Sequence, residues 1–133
     1  MNTNATNNSK LFYPKLSYTI TGICFAVHNT LGRYAREKQY GDALECELKK
    51  QNLNYIREWN IVNTGNRADF LLENKIILEI KSKKMVLKED YYQIQRYLQS
   101  TKLQLGLLVN FRQRYLKPQR IIRIDTDVRE KFV

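Results

Sequence analysis

The sequence predicts an α/β fold, a central sheet with helices covering both faces. Three observations predict it. The hydrophobic pattern reads as two helices, three strands, a helix and two further strands. The strands are apolar on both faces, as in sheets buried between helical layers. The length of 133 residues suits one domain and is short for two.

The elements follow in order. Residues 1–16 form a polar tail, Asn/Thr-rich over its first ten positions, expected to be flexible. A single domain is expected over 17–133. In 17–31, Ile20, Ile23, Val27 and Leu31 recur at three- and four-residue spacing, an amphipathic helix that Gly32 can break. A second helix over 35–51 carries Tyr40, Leu44 and Leu48 as its apolar stripe, and Asn52 can end it. Strands are expected over 54–62, 67–72 and 76–82. Residues 63–66 form a turn cluster between the first two. Asn74, between the second and third, tolerates the left-handed backbone that a tight loop demands. A helix over 88–101 precedes a continuous apolar strand over 105–109 and a last strand over 120–124.

Composition narrows the function classes. With 43% hydrophobic and 27% charged residues, 5 Gly and 2 Pro, the chain is globular rather than disordered or collagen-like. No apolar run approaches the ~20 residues that cross a bilayer. The N-terminus lacks the apolar core of a signal peptide, so an intracellular, cytoplasmic protein is expected. Cys24 and Cys46 lack metal-ligand spacing and read as buried thiols. His28, the single histidine, lies in an apolar helical stretch, which favours a hydrogen-bonded structural role over catalysis. The net charge of +10 and pI near 9.7 make nucleic acid the first partner to consider. A basic surface for solubility, or a face for an acidic protein, is the alternative. Lys81, Lys83, Lys84 and Lys88 form one cluster. Arg112, Arg114, Lys117, Arg120 and Arg123 form another, interleaved with Phe111 and Tyr115.

The chemistry concentrates in the second and third strands. If Glu73, Asn74 and Lys75 form a three-residue hairpin loop, a common length, Phe70 faces Leu78 and Asp69 faces Glu79. Opposed residues lie about 5 Å apart, where like charges repel. Alternation puts Lys81 beside Glu79 and opposite Arg67. Asp69, Glu79 and Lys81 then converge on one patch, while Phe70, Leu78 and Ile80 pack the other side. A two-residue loop would separate the acids. Two carboxylates held together suit Mg²⁺ (or Mn²⁺), which takes hard oxygen ligands. A neighbouring ammonium can polarise water and stabilise charge on a phosphate. The alternative is an exposed carboxylate pair neutralised by Arg67 and Lys81. Gln93 and Tyr97 lie four apart on the following helix and share a face, although they, like Asp90, also suit a solvent side. Glu37 opens the second helix on the side of Tyr40 and Leu44, where a lone charge is costly. Its other reading is an acid complementing the helix N-terminus near Arg33 and Arg36.

At these residues the chain resembles the GxxExxY proteins, a branch of the PD-(D/E)XK nuclease superfamily. The likeness runs over 20–124 and rests on Leu31-Gly32 with Glu37-Lys38-Gln39-Tyr40, Asn66-Arg67-Ala68-Asp69-Phe70, Leu78-Glu79-Ile80-Lys81, Gln93-Ile94-Gln95-Arg96-Tyr97-Leu98 and Leu105-Gly106-Leu107-Leu108-Val109-Asn110-Phe111. One departure is Tyr34, at a position where many relatives carry a second glycine. The resemblance implies a restriction-endonuclease-like αβββαβ core, a central mixed sheet flanked by helices. It implies that Asp69 and Glu79 bind metal with the Ile80 carbonyl as third ligand, that Lys81 is the catalytic lysine, and that Glu37 is the helix acid near the site. It also implies that Gln93 and Tyr97 form the QxxxY element of RecB-type nucleases.

The resulting expectation is a Mg²⁺-dependent nuclease acting on DNA or RNA. Arg67, Lys83, Lys84, Arg112, Arg114, Lys117 and Arg120 would contact nucleic acid. The alternatives are a nucleic-acid-binding module, or a protein-interaction subunit, that keeps the fold without its chemistry.

Overall fold

The computed structural model describes residues 12–124. Two helices, α1 (Pro14–Leu31) and α2 (Glu37–Lys50), precede strands β1 (Tyr55–Asn60), β2 (Arg67–Leu72) and β3 (Ile76–Lys81). Helix α3 (Lys88–Thr101), β4 (Leu105–Asn110) and β5 (Gln119–Ile122) complete the order. The first eleven residues of the polar tail and the chain beyond 124 lie outside the described residues. Helix α1 starts three residues earlier than the spacing predicts, because Pro14 at its first turn already has helical φ and needs no amide partner there. It ends at Gly32, whose positive φ of 74° closes the last turn by donating its amide to the His28 carbonyl at 2.8 Å. Among the described residues no helix is long and apolar enough to cross a membrane.

The five strands form one mixed sheet in the order β1-β2-β3-β4-β5, with β3 and β4 parallel and the other neighbours antiparallel. The parallel pair is made possible by α3, which carries the chain back across one face. Helices α1 and α2 cover the opposite face. Ile20, Ile23, Val27, Tyr40, Leu44 and Leu48 pack there against Phe70, Leu72, Ile76, Leu78, Leu105 and Leu107. On the α3 side, Ile94, Tyr97 and Leu98 pack on Ile77, Leu108, Ala68 and Ile121. Leu31 is the exception in the first stripe and is solvent-exposed. Burying each large aliphatic side chain contributes roughly 1.5–3 kcal/mol, so β3 and β4, apolar toward both layers, anchor the fold.

The Glu73-Asn74-Lys75 loop has the predicted length. Asn74 takes the left-handed backbone with φ 56°, and Glu73 does so as well with φ 50°. The hairpin register is Phe70↔Leu78, Leu71↔Ile77 and Leu72↔Ile76. The two cysteines separate: Cys24 is buried, which pushes its thiol up to about 12, whereas Cys46 lies exposed on the outer face of α2. The expectation of two buried thiols fails at Cys46 because that position falls off the Tyr40-Leu44-Leu48 stripe. His28 plays the structural part predicted for it, with Nε2 2.8 Å from the Gln113 carbonyl oxygen.

Helix α3 approaches the sheet closely over Gly106. A Cβ added there would stand 2.6 Å from Ile94 Cγ2, a branched atom with no room to swing away. Gly106→Val is therefore expected to cost ~1–3 kcal/mol by overpacking, read as a lower urea midpoint at unchanged slope.

Candidate active site

The site is built where strand pairing fails. Phe70 packs in the α1/α2 layer but Ala68, two residues earlier, packs in the α3 layer. Residues two apart in a regular strand share a face, so β2 loses its pleat phase at Asp69. Its neighbour does the same. In β1, Trp59 packs on the α3 side, whereas the Arg57 guanidinium lies against Gly41 of α2, and Glu58 between them has φ 53°. Glu58 is the residue that would continue the β1–β2 pairing opposite Asp69. Its left-handed backbone is the local cost of the phase change.

Side chains replace the missing ladder bonds. The Asp69 amide donates to Glu79 Oε1 at 2.7 Å, and the Ile80 amide donates to Asp69 Oδ2 at 2.7 Å. Each carboxylate thus grips the strand that carries the other, and each keeps its second oxygen. Glu79 is only 4% exposed. Burial, followed by the Asp69 charge, raises its proton affinity to about 8. Burial also holds the Asp69 carboxyl above its ordinary range, with Glu37 adding to this and the Ile80 amide and Lys81 opposing it.

Lys81 stands beside the pair. Its Nζ lies 3.9 Å from Glu79 Oε2, 3.7 Å from Asp90 Oδ1 and 3.5 Å from Gln93 Oε1. Asp90 is buried rather than on a solvent side. It accepts hydrogen bonds from Lys83 Nζ at 2.7 Å and from the Leu87 amide at 2.8 Å, closing the start of α3. Burial works against its charge, but Lys83, Leu87 and Lys81 together hold its carboxyl below the usual range. Tyr97 is 2% exposed, and burial, then the Glu79 and Asp69 charges, push its hydroxyl up.

Several sequence expectations are corrected by this arrangement. The cleft of about 500 Å³ into which Asp69 opens lies on the α2 side, lined by Glu37, Arg57, Glu58, Phe70 and Ile80 among others. The three residues expected on one patch are brought together across the break in the sheet, Glu79 bonding the Asp69 amide at 2.7 Å and Lys81 Nζ lying 3.9 Å from Glu79 Oε2. Glu37 is exposed at this cleft instead of buried on the core side, and accepts the Ser82 amide at 3.1 Å. Arg67 lies 3.7 Å from Glu58 rather than across from Lys81. Arg120 turns back onto α1, donating to Ser17 Oγ at 2.8 Å and to the Phe12 carbonyl at 3.0 Å, and Lys83 is held by Asp90. Lys84, Arg114 and Lys117 are exposed, and Arg112 is half-buried. Glu58 and Asp90 were missed from the candidate site. A half-buried strand pattern concealed the first, and an ordinary first-turn acid the second.

Among the described residues no group of three or more His, Cys, Asp or Glu side chains is arranged to hold a metal. The donor set nevertheless fits one kind of ion. The buried Glu79 and half-buried Asp69 carboxylates, each with an oxygen to give, and the adjacent Ile80 carbonyl are hard oxygen donors. A hard divalent cation uses one or two protein carboxylates and completes its shell with water. Zinc, which favours nitrogen and sulfur ligands, finds neither here.

Comparison with known proteins follows the same line. No curated protein matches the chain. The solved structure of SSO0001 is 28% identical with a TM-score of 0.48, covering 71% of this chain, and the chain spans only 56% of that protein. An alkaline exonuclease (LHK-Exo) from Laribacter hongkongensis is 16% identical with a TM-score of 0.44, covering 80% of this chain and 79% of that one. The profile of the PD-(D/E)XK nuclease superfamily matches residues 14–124, which takes in every element from α1 to β5, the acid pair and Lys81. The chain belongs to the PD-(D/E)XK nuclease superfamily.

Proposed function

We propose that this protein is a Mg²⁺-dependent phosphodiesterase, Mn²⁺ serving equally, that hydrolyses nucleic acid, DNA in the first instance and RNA as the alternative substrate. One observation carries the reading. A buried carboxylate, Glu79, and a half-buried one, Asp69, are held by each other's strands next to a lysine ammonium. Such a pair is hard to ionise fully without a cation between them.

In this reading Asp69, Glu79 and the Ile80 carbonyl hold the ion, which supplies Lewis-acid polarisation of a phosphoryl oxygen when bound. Lys81 orients the attacking water and stabilises negative charge as it builds on the phosphate. Asp90 and Gln93 limit where the Lys81 side chain can go. Glu37, exposed at the cleft mouth, is placed to accept a proton from water or to order it. Tyr97 closes the α3 side against bulk solvent. Lys84, Arg112, Arg114 and Lys117 supply backbone contacts, consistent with the net charge of +10. Superfamily membership supports the reaction class.

Calorimetric titration with MgCl₂ tests the site without a substrate. Wild type is expected to bind and Asp69→Ala to lose the signal; equal heats from both proteins would refute the metal assignment. With Mg²⁺ or Mn²⁺, wild type is expected to cut single- or double-stranded DNA or RNA, and Lys81→Ala to lose at least a hundredfold in rate while keeping its circular dichroism. If both proteins are inert on all four substrates, the catalytic reading is abandoned in favour of a nucleic-acid-binding module.

Metal removal has a signed consequence for stability. Glu79 holds its proton up to about 8 when folded, against an ordinary value of 4.5. Between these values the folded state binds more protons than the unfolded, so stability falls as pH rises. In chelator the thermal midpoint is expected to drop from pH 5 to pH 8. Glu79→Gln should flatten that slope, and Mg²⁺ should offset it; a wild-type slope that Glu79→Gln leaves unchanged would reject the assignment.

A further inference from the structure

Three arginines beside exposed aromatic rings have no carboxylate partner among the described residues. Among the described residues, the guanidiniums of Arg57 and Arg67 pair with acids and Lys83 pairs with Asp90, whereas Arg33, Arg112 and Arg114 form no ion pair. These three surround two exposed rings. Tyr34 is 74% exposed, with the Arg33 guanidinium 5.1 Å and the Arg112 guanidinium 5.4 Å from its centroid. Tyr115 is 78% exposed, with Arg114 at 5.3 Å.

The Tyr34 surface is built rather than loose. The Tyr40 hydroxyl donates to the Gly32 carbonyl at 2.5 Å and accepts the Ala35 amide at 3.2 Å, tying together both ends of the loop that carries Tyr34. The Tyr40 ring stacks on Phe111 at 4.3 Å. Arg33 Nε donates to the Arg112 carbonyl at 2.9 Å, joining this loop to the one between β4 and β5. The Arg112 amide is fixed in turn by Asn110 Oδ1 at 3.2 Å.

It also adjoins the candidate site. Ser82, the residue after Lys81, donates its hydroxyl to the Ala35 carbonyl at 3.1 Å and its amide to Glu37. The Phe111 amide donates to the Lys81 carbonyl at 2.9 Å. Both loops therefore start where β3 delivers Lys81.

We infer that Tyr34, with Arg33 and Arg112, is a base-stacking platform that makes single-stranded nucleic acid the preferred substrate. Unneutralised guanidiniums attract phosphates, and a flat exposed ring between them offers a π-face. A base can use that face only if its own is uncovered, as in an unpaired strand; in a duplex the neighbouring pairs already occupy it. Stacking on Tyr34 would lead the backbone toward Glu37 and Lys81. The substrate role rests on the nuclease reading above, but the binding preference does not.

Fluorescence anisotropy with a labelled 15-nucleotide DNA strand and its duplex, in chelator so that nothing is cut, tests the platform. Wild type is expected to bind the single strand more tightly. Tyr34→Ala should weaken single-strand binding about tenfold, duplex binding far less, and Tyr34→Phe should retain most of the affinity. Equal wild-type affinity for both forms, or a Tyr34→Ala variant that binds the single strand like wild type, overturns the inference. Cutting assays separate the two readings. Metal-dependent cleavage indifferent to Tyr34 and to strandedness sinks the platform and leaves the nuclease. Tyr34-dependent single-strand binding by a protein that cuts nothing sustains the platform and sinks the nuclease.

Discussion

The reciprocal grip of Asp69 and Glu79 is the constraint from which the rest of the site follows. Each carboxylate stands in for a ladder bond that β2 and β3 fail to make, so the acids hold the strands together as well as facing each other. Their burial is tolerable because both accept strong backbone donors. The same burial leaves the pair short of positive charge, since Lys81 is shared with Asp90 and Gln93. A regular sheet could not achieve this. Continuous pairing would satisfy the amides without the side chains, and the carboxylates would turn to solvent. The lost pleat phase at Asp69 and the left-handed Glu58 beside it belong to one distortion.

Much of the fold was legible because its cues are local. Helix α3 and strand β2 have the predicted limits, and the other elements differ at their ends by one to three residues, where capping bonds decide. The hairpin register could be read from the loop length alone, since side-chain direction in a strand has a period of two. What escaped the sequence is what depends on contacts distant in the chain. Nothing around Glu58 announces a positive φ, because the cause is the layer that Arg57 and Trp59 join on either side. Asp90 reads as any acid in a first helical turn until Lys81 and Lys83, from β3 and the segment after it, close around it. Arg120 reads as a surface cation until α1 supplies its acceptors.

Net charge was the loudest sequence signal and the least specific. Its meaning changes once each cation is traced to its partners. Arg57 is absorbed by Asp42 and Glu45, Arg67 leans on Glu58, and Lys83 closes a helix. At the Lys81 end of the sheet, Arg33, Arg112 and Arg114 form no ion pair among the described residues and stand beside exposed aromatic rings. The total charge therefore marks no place on the molecule, whereas the distribution of the unpaired cations does.

The loop latched by Tyr40 lies outside the strands that hold the acids. Its anchor is the Tyr40 hydroxyl, bonded to Gly32 and Ala35 rather than to Asp69 or Glu79. The proposed platform thus has a latch of its own, and it meets the strand that carries Lys81 only through Ser82 and the Phe111 amide. A change at the loop tip, at Tyr34 for instance, would leave the bonds that join Asp69 and Glu79 in place.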